Sequence, residues 1–126
     1  MDHRLLVYLY RKKGISHAEF RDHYEYIHIP LTRELTGSLF PSLHARRYIE
    51  RSQPEDKPVV LIGDKSLDEY DAVVDVAFKN EEAAQAFFAA TNSGKVAERL
   101  RKDNEQFLDW QRVRIVKVGD VFETRT

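Results

Sequence analysis

The chain has 126 residues, of which 42% are apolar and 33% are charged, and these proportions suit one soluble globular domain over residues 1–126. Its net charge of -1 gives no positive field that would attract nucleic acid or an anionic membrane. No apolar run approaches the roughly 20 residues of a membrane span, and the first residues lack the pattern of a signal peptide. The absence of cysteine excludes disulfides and thiolate chemistry. We therefore expect a cytoplasmic protein with no nucleic-acid partner and no membrane partner.

The first predicted element is a strand over His3–Arg11, which is rich in Leu, Val and Tyr and ends at a basic turn. Alternating residues put bulky side chains on both faces, with Leu5 and Leu9 on one face and Leu6 and Tyr8 on the other. A lone single-layer domain would leave one face wet and polar. The two apolar faces therefore predict that a second copy of the chain covers one of them.

A helix with complete starting signals follows this strand. Ser16 and Glu19 form a capping box, in which each side chain accepts a hydrogen bond from the backbone of the other residue. Pro30 disfavours helical geometry in the residue before it, so the pattern predicts that the helix ends or kinks just after His28. A second short helix is predicted to begin at Pro30, and Gly37 lies beyond its end.

One face of the first helix carries histidine where apolar residues are expected. The residues at helical spacing on this face are Phe20, His23, Tyr24, Ile27 and His28. A histidine next to a helix break is held by rigid structure, yet it escapes the closely packed sides of the helix. His28 and His23 are therefore candidates for chemistry, although a histidine on an apolar face is more often a hydrogen-bonded core or cap residue.

The remaining elements complete an alternating pattern of strands and helices. In chain order they are a strand over His44–Glu50, a strand over Asp71–Phe78, a helix capped by Asn80 and running to about Ala90, a helix over roughly Lys95–Trp110 and a strand over Arg112–Val118. Between the second and third strands, the apolar run Val59–Ile62 fits either a small strand or a plug over the domain. The order predicts an α+β, ferredoxin-like βαββαβ fold with an antiparallel sheet.

Five charged or titratable residues have more ordinary interpretations. His17 is predicted to face solvent in the first helical turn, and Asp103 to lie on the wet face of the last helix. Arg46 and Arg47 either meet a substrate carboxylate or form a solvated strand edge. Asp75 is expected on the dimer side of the sheet.

A metal site is not expected. His3 and His44 are available to join a cluster, but His23 and His28 are five residues apart rather than the three or four that place two ligands on one helix face. Histidine instead suits proton transfer, because its ordinary pKa lies near neutral pH.

The order Lys-x-Gly-x-Ser-x-x-Glu-Phe-Arg-x-His-x-Glu-x-x-His-x-Pro-Leu, from Lys12 to Leu31, resembles the EthD family of dimeric α/β-barrel proteins. Arg46–Tyr48 and Asp71–Phe78 fall where that family has its second and third strands. The ending from Asp103 to Asp109, followed by a Val-rich strand, looks like the fungal polyketide-tailoring branch. The resemblance covers most of the chain except Pro54–Ser66, which looks like an insert.

This resemblance implies a homodimer in which two sheets pair into a barrel, each subunit keeping a cavity between its sheet and helices. It implies cofactor-free chemistry on an aromatic polyketide, with decarboxylation of an anthrone-type carboxylic acid as the leading reaction. His28, in the His-x-Pro position, is carried over with most weight and His23 with less. Polyketide cyclases on the same barrel use a histidine on the third strand, where this chain has Ala72.

Decarboxylation of a β-keto acid needs one acid–base group and donors for the developing oxyanion, and the substrate supplies its own electron sink. We assign His28 as proton donor and acceptor, and His23 as a group that orients substrate or shares the proton. Tyr8 is the predicted donor to a phenolate or carbonyl. Phe20 and Tyr24 are the predicted flat walls for an aromatic polycycle.

Other functions fit the same residues. Within enzymes, they are a cyclase or dehydratase and a cofactor-independent oxygenase acting on the same substrates. Outside enzymes, the alternative is a non-catalytic protein that binds a small aromatic ligand in the same cavity. A histidine locked to backbone groups through both ring nitrogens would favour that last alternative.

Overall fold

A four-stranded antiparallel sheet forms one layer of the computed structural model, which describes residues 2–65 and 69–126. Its strands are β1 (His3–Leu9), β2 (Leu43–Tyr48), β3 (Ala72–Phe78) and β4 (Arg114–Val118). They lie in the order β2-β3-β1-β4, and every neighbouring pair is antiparallel. This is the strand order of a ferredoxin-like fold, so the predicted fold is confirmed.

The helices form the second layer and cover one face of the sheet. They are α1 (His17–His23), a π-helical turn (Tyr24–His28), α2 (Ile29–Thr36), α3 (Glu81–Thr91) and α4 (Gly94–Phe107). Short 3-10 turns over Gly37–Leu39 and Trp110–Arg112 complete the regular structure of the described residues. None of the described helices has the length and apolar character that crossing a membrane requires.

The core lies between the two layers. In the sheet register Leu5 pairs with Val76 and Leu9 with Ala72, and all four side chains are buried on the helix-facing side. From the helices, Phe20 and Phe107 are completely buried against this surface. The core therefore uses the strand face that alternation predicts.

The other sheet face carries no helix among the described residues. Tyr8 and Val73 pair across β1 and β3 on this face, and both are half-buried in the single chain. Asp75 lies on the same face, where it forms an ion pair with Arg47 of the neighbouring strand. This face is the one on which the sequence pattern places Asp75.

Pro30 does not end the first helix. Ser16 and Glu19 form the predicted capping box, and the helical path then runs through the π turn directly into α2. Because Pro30 has no N–H and its ring would clash with the carbonyl four residues back, an uninterrupted α-helix is disfavoured here. The wider π turn lets the chain pass this position, and α2 ends at Gly37, which has a positive φ of 54°.

The segment after β2 is a loop that includes most of the predicted insert. A short bridge joins Arg51 and Pro58, and the amide of Val59 donates to Glu50. Leu61 and Ile62 are 90% and 96% exposed, so neither a strand nor a plug forms over Val59–Ile62. Ser66, the last residue of the predicted insert, lies outside the described residues.

Candidate active site

Two histidines and one carboxylate meet where the π turn packs against α4. His28 Nδ1 lies 2.7 Å from Asp103 Oδ2, and His23 Nε2 lies 2.9 Å from Asp103 Oδ1. The three side chains are only 11–18% exposed. One carboxylate therefore holds both candidate histidines, through one oxygen each.

The π turn explains how His23 and His28 reach the same group. Residues five apart diverge around an α-helix, whereas a π turn hydrogen-bonds residues five apart and brings them closer to one face. The turn covers Tyr24–His28, which is the interval between the two histidines. The helix distortion required by Pro30 thus also aligns His23 and His28.

The carboxylate fixes the tautomer of His28. Although burial works to raise it, hydrogen bonds from His28 and His23 hold the pKa of Asp103 below its usual value. An ionised Asp103 only accepts, so His28 Nδ1 carries a proton and the lone pair of the neutral ring is on Nε2. Thr32 Oγ1, 3.5 Å from Nε2, already donates to the His28 carbonyl at 2.9 Å. The lone pair of Nε2 therefore receives no strong hydrogen bond from Thr32.

Asp103 is the functional residue that the sequence interpretation missed. The prediction that it lies on the wet face of the last helix is wrong, because its side chain is only 11% exposed and bridges two histidines. The pattern that could have found it is its spacing, since Leu100, Asp103 and Phe107 share one helical face and the other two are buried.

Aromatic rings surround the histidines. His23 stacks on Phe107 with centroids 4.6 Å apart and planes 20° apart, and the His28 ring lies 5.1 Å from Phe107. Tyr24 lies 5.7 Å from His28, and burial raises the pKa of its hydroxyl. Phe20 lies behind Tyr24 and is completely buried. Of the two predicted aromatic walls, Tyr24 therefore contacts a candidate histidine and Phe20 supports it from the core.

Tyr8 lies apart from this cluster. It pairs with Val73 on the sheet face opposite the helices, its ring is 5.4 Å from that of Tyr70, and the Arg114 guanidinium lies 6.0 Å from it. The structure therefore does not bring Tyr8 together with His28 within one chain. Alternation along β1 separates the two faces, as the sequence pattern itself indicates.

A second polar cluster borders Tyr24 on the sheet side. Arg46 donates to both carboxylate oxygens of Glu25, at 3.1 Å for the Nη2 bond, and the Tyr48 hydroxyl also donates to Glu25. Burial acts to raise the pKa of Glu25, but these hydrogen bonds keep it below its usual value. Arg47 is exposed on the edge strand β2, as the solvated-edge alternative predicts, whereas Arg46 of the same strand is partly buried and already paired with Glu25.

His44 completes this second cluster. Its Nδ1 lies 3.0 Å from Arg46 Nη1, and its ring contacts Phe40 and Tyr24 with centroids 5.5 and 6.3 Å away. Burial lowers the pKa of His44 to about 4, and its neighbours Arg46 and His28 act in the same direction. His44 is therefore neutral at neutral pH.

We expect His44 to make the fold acid-sensitive. The pKa of His44 is lower in the folded chain than in the unfolded chain. Its contribution to the unfolding free energy is therefore fully present above about pH 6.5, and it is lost at lower pH as the unfolded chain binds a proton while folded His44 stays neutral. Between pH 7 and pH 5 the wild type should lose about 2 kcal/mol more unfolding free energy than His44→Gln. Urea denaturation at both pH values measures this difference. Equal losses in the two proteins would show that His44 does not titrate in this way.

A third cluster lies at the start of β3. The buried carboxylate of Asp71 accepts from Arg51 and from the Arg11 amide at 2.9 Å, and it lies 2.9 Å from His17 Nδ1. The prediction that His17 faces solvent is therefore wrong, because the ring turns inward to this carboxylate. An open cleft of about 660 Å³ borders the cluster and is lined in part by His17, Tyr48 and Arg51.

Within residues 2–65 and 69–126, no three His, Asp or Glu side chains converge to hold a metal ion. Both ring nitrogens that face Asp103 are directed at its oxygens rather than at a common point.

Comparisons with known proteins agree with this architecture. A crystal structure of an EthD family protein from Bacillus halodurans superposes with a TM-score of 0.57 at 17% identity, covering 96% of this chain and 100% of that one. An Arabidopsis thaliana protein gives 0.58 at 9% identity, with coverage of 98% and 99%. An EthD-like protein from Ralstonia eutropha gives 0.54 at 14% identity, with coverage of 93% and 86%. At these identities the likeness establishes the fold.

No curated protein matches the chain. The EthD domain family, in contrast, matches residues 12–111, which contain the helix with its π turn, the histidine pair and Asp103. The resemblance stated from Lys12 to Leu31 is thereby confirmed at the level of the family. This protein belongs to the EthD domain family.

Proposed function

We propose that this protein is a cofactor-independent lyase that decarboxylates an aromatic polyketide acid of the anthrone type, with His28 as proton donor and acceptor. The observation that carries this proposal is the pairing of His28 Nδ1 with Asp103, which leaves Nε2 as the basic atom. A histidine oriented by a carboxylate is a recurrent general acid–base arrangement. His28 is bound to a side chain through Nδ1 rather than to backbone through both nitrogens, which disfavours a purely structural histidine.

The proposed reaction balances with His28 alone as the proton carrier. His28 Nε2 takes the proton of the carboxylic acid, and the carbon–carbon bond then breaks with release of carbon dioxide. The electron pair moves onto the neighbouring carbonyl as an enolate, which needs no cofactor because the substrate is its own electron sink. The imidazolium, stabilised by Asp103, returns the proton to carbon.

The other site residues take supporting roles in this proposal. His23 shares Asp103 with His28 and keeps the carboxylate oriented. Tyr24, which is buried with Phe20 behind it, packs beside His28 and fixes the position of its ring. The third strand has Ala72, fully buried, where related cyclases have their histidine, so decarboxylation is favoured over cyclisation.

We also propose a cytoplasmic homodimer. The helices cover one sheet face, and the other exposes an apolar strip that includes Leu6, Val73 and Val116. A second copy laid on this strip would bury it, and Tyr8 would then face the partner. Light scattering that gives the mass of a single chain would remove this part of the proposal.

The experiment is incubation of the wild type and His28→Gln with a panel of anthrone-type and orcinol-type carboxylic acids, followed by product mass. We expect the wild type to release carbon dioxide and His28→Gln to be at least about 100-fold slower. His3→Gln, at the start of β1 and outside the cluster, is the matched control. Equal turnover by His28→Gln would remove His28 from the mechanism. Loss of water or gain of oxygen would indicate the cyclase or oxygenase alternatives, and tight binding without turnover would indicate a ligand-binding protein.

A further inference from the structure

We infer that His44 is a second catalytic residue, a neutral histidine whose Nε2–H holds the substrate oxygen that becomes negative when carbon dioxide leaves. This inference rests on the proposed function and adds a substrate requirement. The acid must carry a carbonyl or phenolic oxygen on the carbon next to the one that loses carbon dioxide. His28 would then move the proton while His44 stabilises the enolate or phenolate.

The tautomer of His44 follows from its partner. Arg46 Nη1 lies 3.0 Å from His44 Nδ1. A guanidinium stays protonated and has only donors, so Nδ1 must accept and cannot carry a proton. The single proton of the neutral ring is therefore on Nε2.

Arg46 is itself fixed in this orientation. Its Nε and Nη2 atoms donate to the carboxylate of Glu25, and Nη1 also donates to the His44 carbonyl at 3.1 Å. A bidentate pair of this kind sets the plane of the guanidinium. The group that dictates the His44 tautomer is thus prepared before any substrate binds, as preorganised stabilisation requires.

The donor is positioned near His28. Tyr24 contacts both histidines, with centroids 5.7 Å from His28 and 6.3 Å from His44. In the register of β2, His44 pairs with Val76 and so belongs to the sheet face that the helices cover. Among the described residues His44 Nε2 has no hydrogen-bond partner, yet it is not sealed from solvent as Arg51 Nε is. It is therefore free to bind a ligand atom.

The charges around His44 keep it a donor rather than an acid. Burial opposes its protonation most, and Arg46 and His28 oppose it as well; Glu25 and a hydrogen bond to the backbone of His44 favour it but are outweighed, so the pKa of His44 is about 4. A neutral imidazole of this kind polarises a carbonyl without competing with His28 for the proton. The different environments of the two histidines thus suit His28 to proton transfer and His44 to polarising the carbonyl.

The first test reads the tautomer directly and needs no turnover. Nitrogen-15 NMR of the wild-type imidazoles near pH 7 should show the His44 proton on Nε2 and a bare Nδ1. Arg46→Met removes the donor that enforces this state and should let the other tautomer appear. A wild-type His44 that carries its proton on Nδ1, or on both nitrogens, would overturn the inference.

The second test uses matched variants. His44→Gln keeps an amide N–H close to the position of Nε2, whereas His44→Phe keeps the ring shape and has no donor. On an acid that the wild type decarboxylates, we expect kcat to fall about 10²- to 10³-fold in His44→Phe with KM changed only slightly. His44→Gln should retain much more activity than His44→Phe. Equal rates in the wild type and His44→Phe would contradict the role.

A binding probe separates this inference from the proposed reaction. 4-Nitrophenol absorbs differently as phenol and as phenolate, so a titration shows which form binds. The wild type should bind the phenolate and His44→Phe should bind it at least tenfold more weakly, with His3→Gln unchanged. If no acid is decarboxylated but this difference appears, the proposed function fails and the oxyanion site stands. If carbon dioxide is released but His44→Phe binds the phenolate as tightly as the wild type, the inference about His44 is wrong and the proposed function stands.

Discussion

Asp103→Asn is expected to lower turnover by about 10²- to 10⁴-fold while leaving the fold intact. The amide cannot stabilise the imidazolium that forms on His28, because it carries no charge. It also offers one carbonyl oxygen to two histidines that now have one each at 2.7 and 2.9 Å. Steady-state kinetics on the acid that the wild type decarboxylates should show the loss in kcat, with KM nearly unchanged.

Asp22→Asn is the matched control for this prediction. Asp22 lies in α1 close to His23, but its side chain is exposed and pairs only with its neighbour Arg21 among the described residues. Its replacement should leave both kcat and unfolding free energy unchanged. A fall in kcat of the same size in both variants, or none in Asp103→Asn, would show that Asp103 does not position His28.

Local patterns in the sequence predicted the strands and which residues of a strand share its buried face. Alternation in β3 placed Val74 and Phe78 on the buried face, where they are 0% and 2% exposed. The capping box at Ser16 and the cap at Asn80 mark their helix starts correctly. These features depend on residues within one turn or one strand, so a single sequence contains all the information they need.

Long-range polar pairs could not be predicted in the same way. Asp103 joins two histidines that are 75 and 80 residues away. The sequence showed the buried helical face that contains Asp103. Because the neighbouring residues are charged, however, the pattern favoured a solvent-exposed Asp103. Glu25 and Arg46 are likewise separated in sequence by all of α2 and a 3-10 turn, and only the packing of the π turn on β2 brings them together.

The π turn shows which of the two outcomes predicted for Pro30 occurs, since the helix is distorted up to His28 and continues as α2 from Ile29. Pro30 predicts a break from local backbone chemistry, and a distorted turn does form beside it. The contacts of His23 and His28 with Asp103 span that turn. The arrangement of His23 and His28 therefore depends on the π turn, a local departure from α-helical geometry.

The second large effect is expected at Asp71. Its side chain is 2% exposed and pairs with Arg51, which is 4% exposed. Asp71→Asn would leave the Arg51 charge buried without its partner, which typically costs 3–5 kcal/mol, so we expect a loss of about 3–5 kcal/mol in unfolding free energy. Urea denaturation measures it. Asp75→Asn, which breaks a half-exposed pair with Arg47, should cost no more than about 1 kcal/mol.

A double variant distinguishes the buried charge from the loss of packing. If the penalty comes from the unpaired guanidinium, Asp71→Asn with Arg51→Met should recover most of the stability lost in Asp71→Asn, because both charges are then absent. In that protein the carbonyl oxygen of the new side-chain amide can accept from the Arg11 amide, and its N–H can donate to His17 Nδ1 in the other imidazole tautomer, so the backbone at the start of β3 keeps its partner. A double variant that stays as unstable as the single one would show instead that Asp71 acts through Arg11 and His17, each at 2.9 Å.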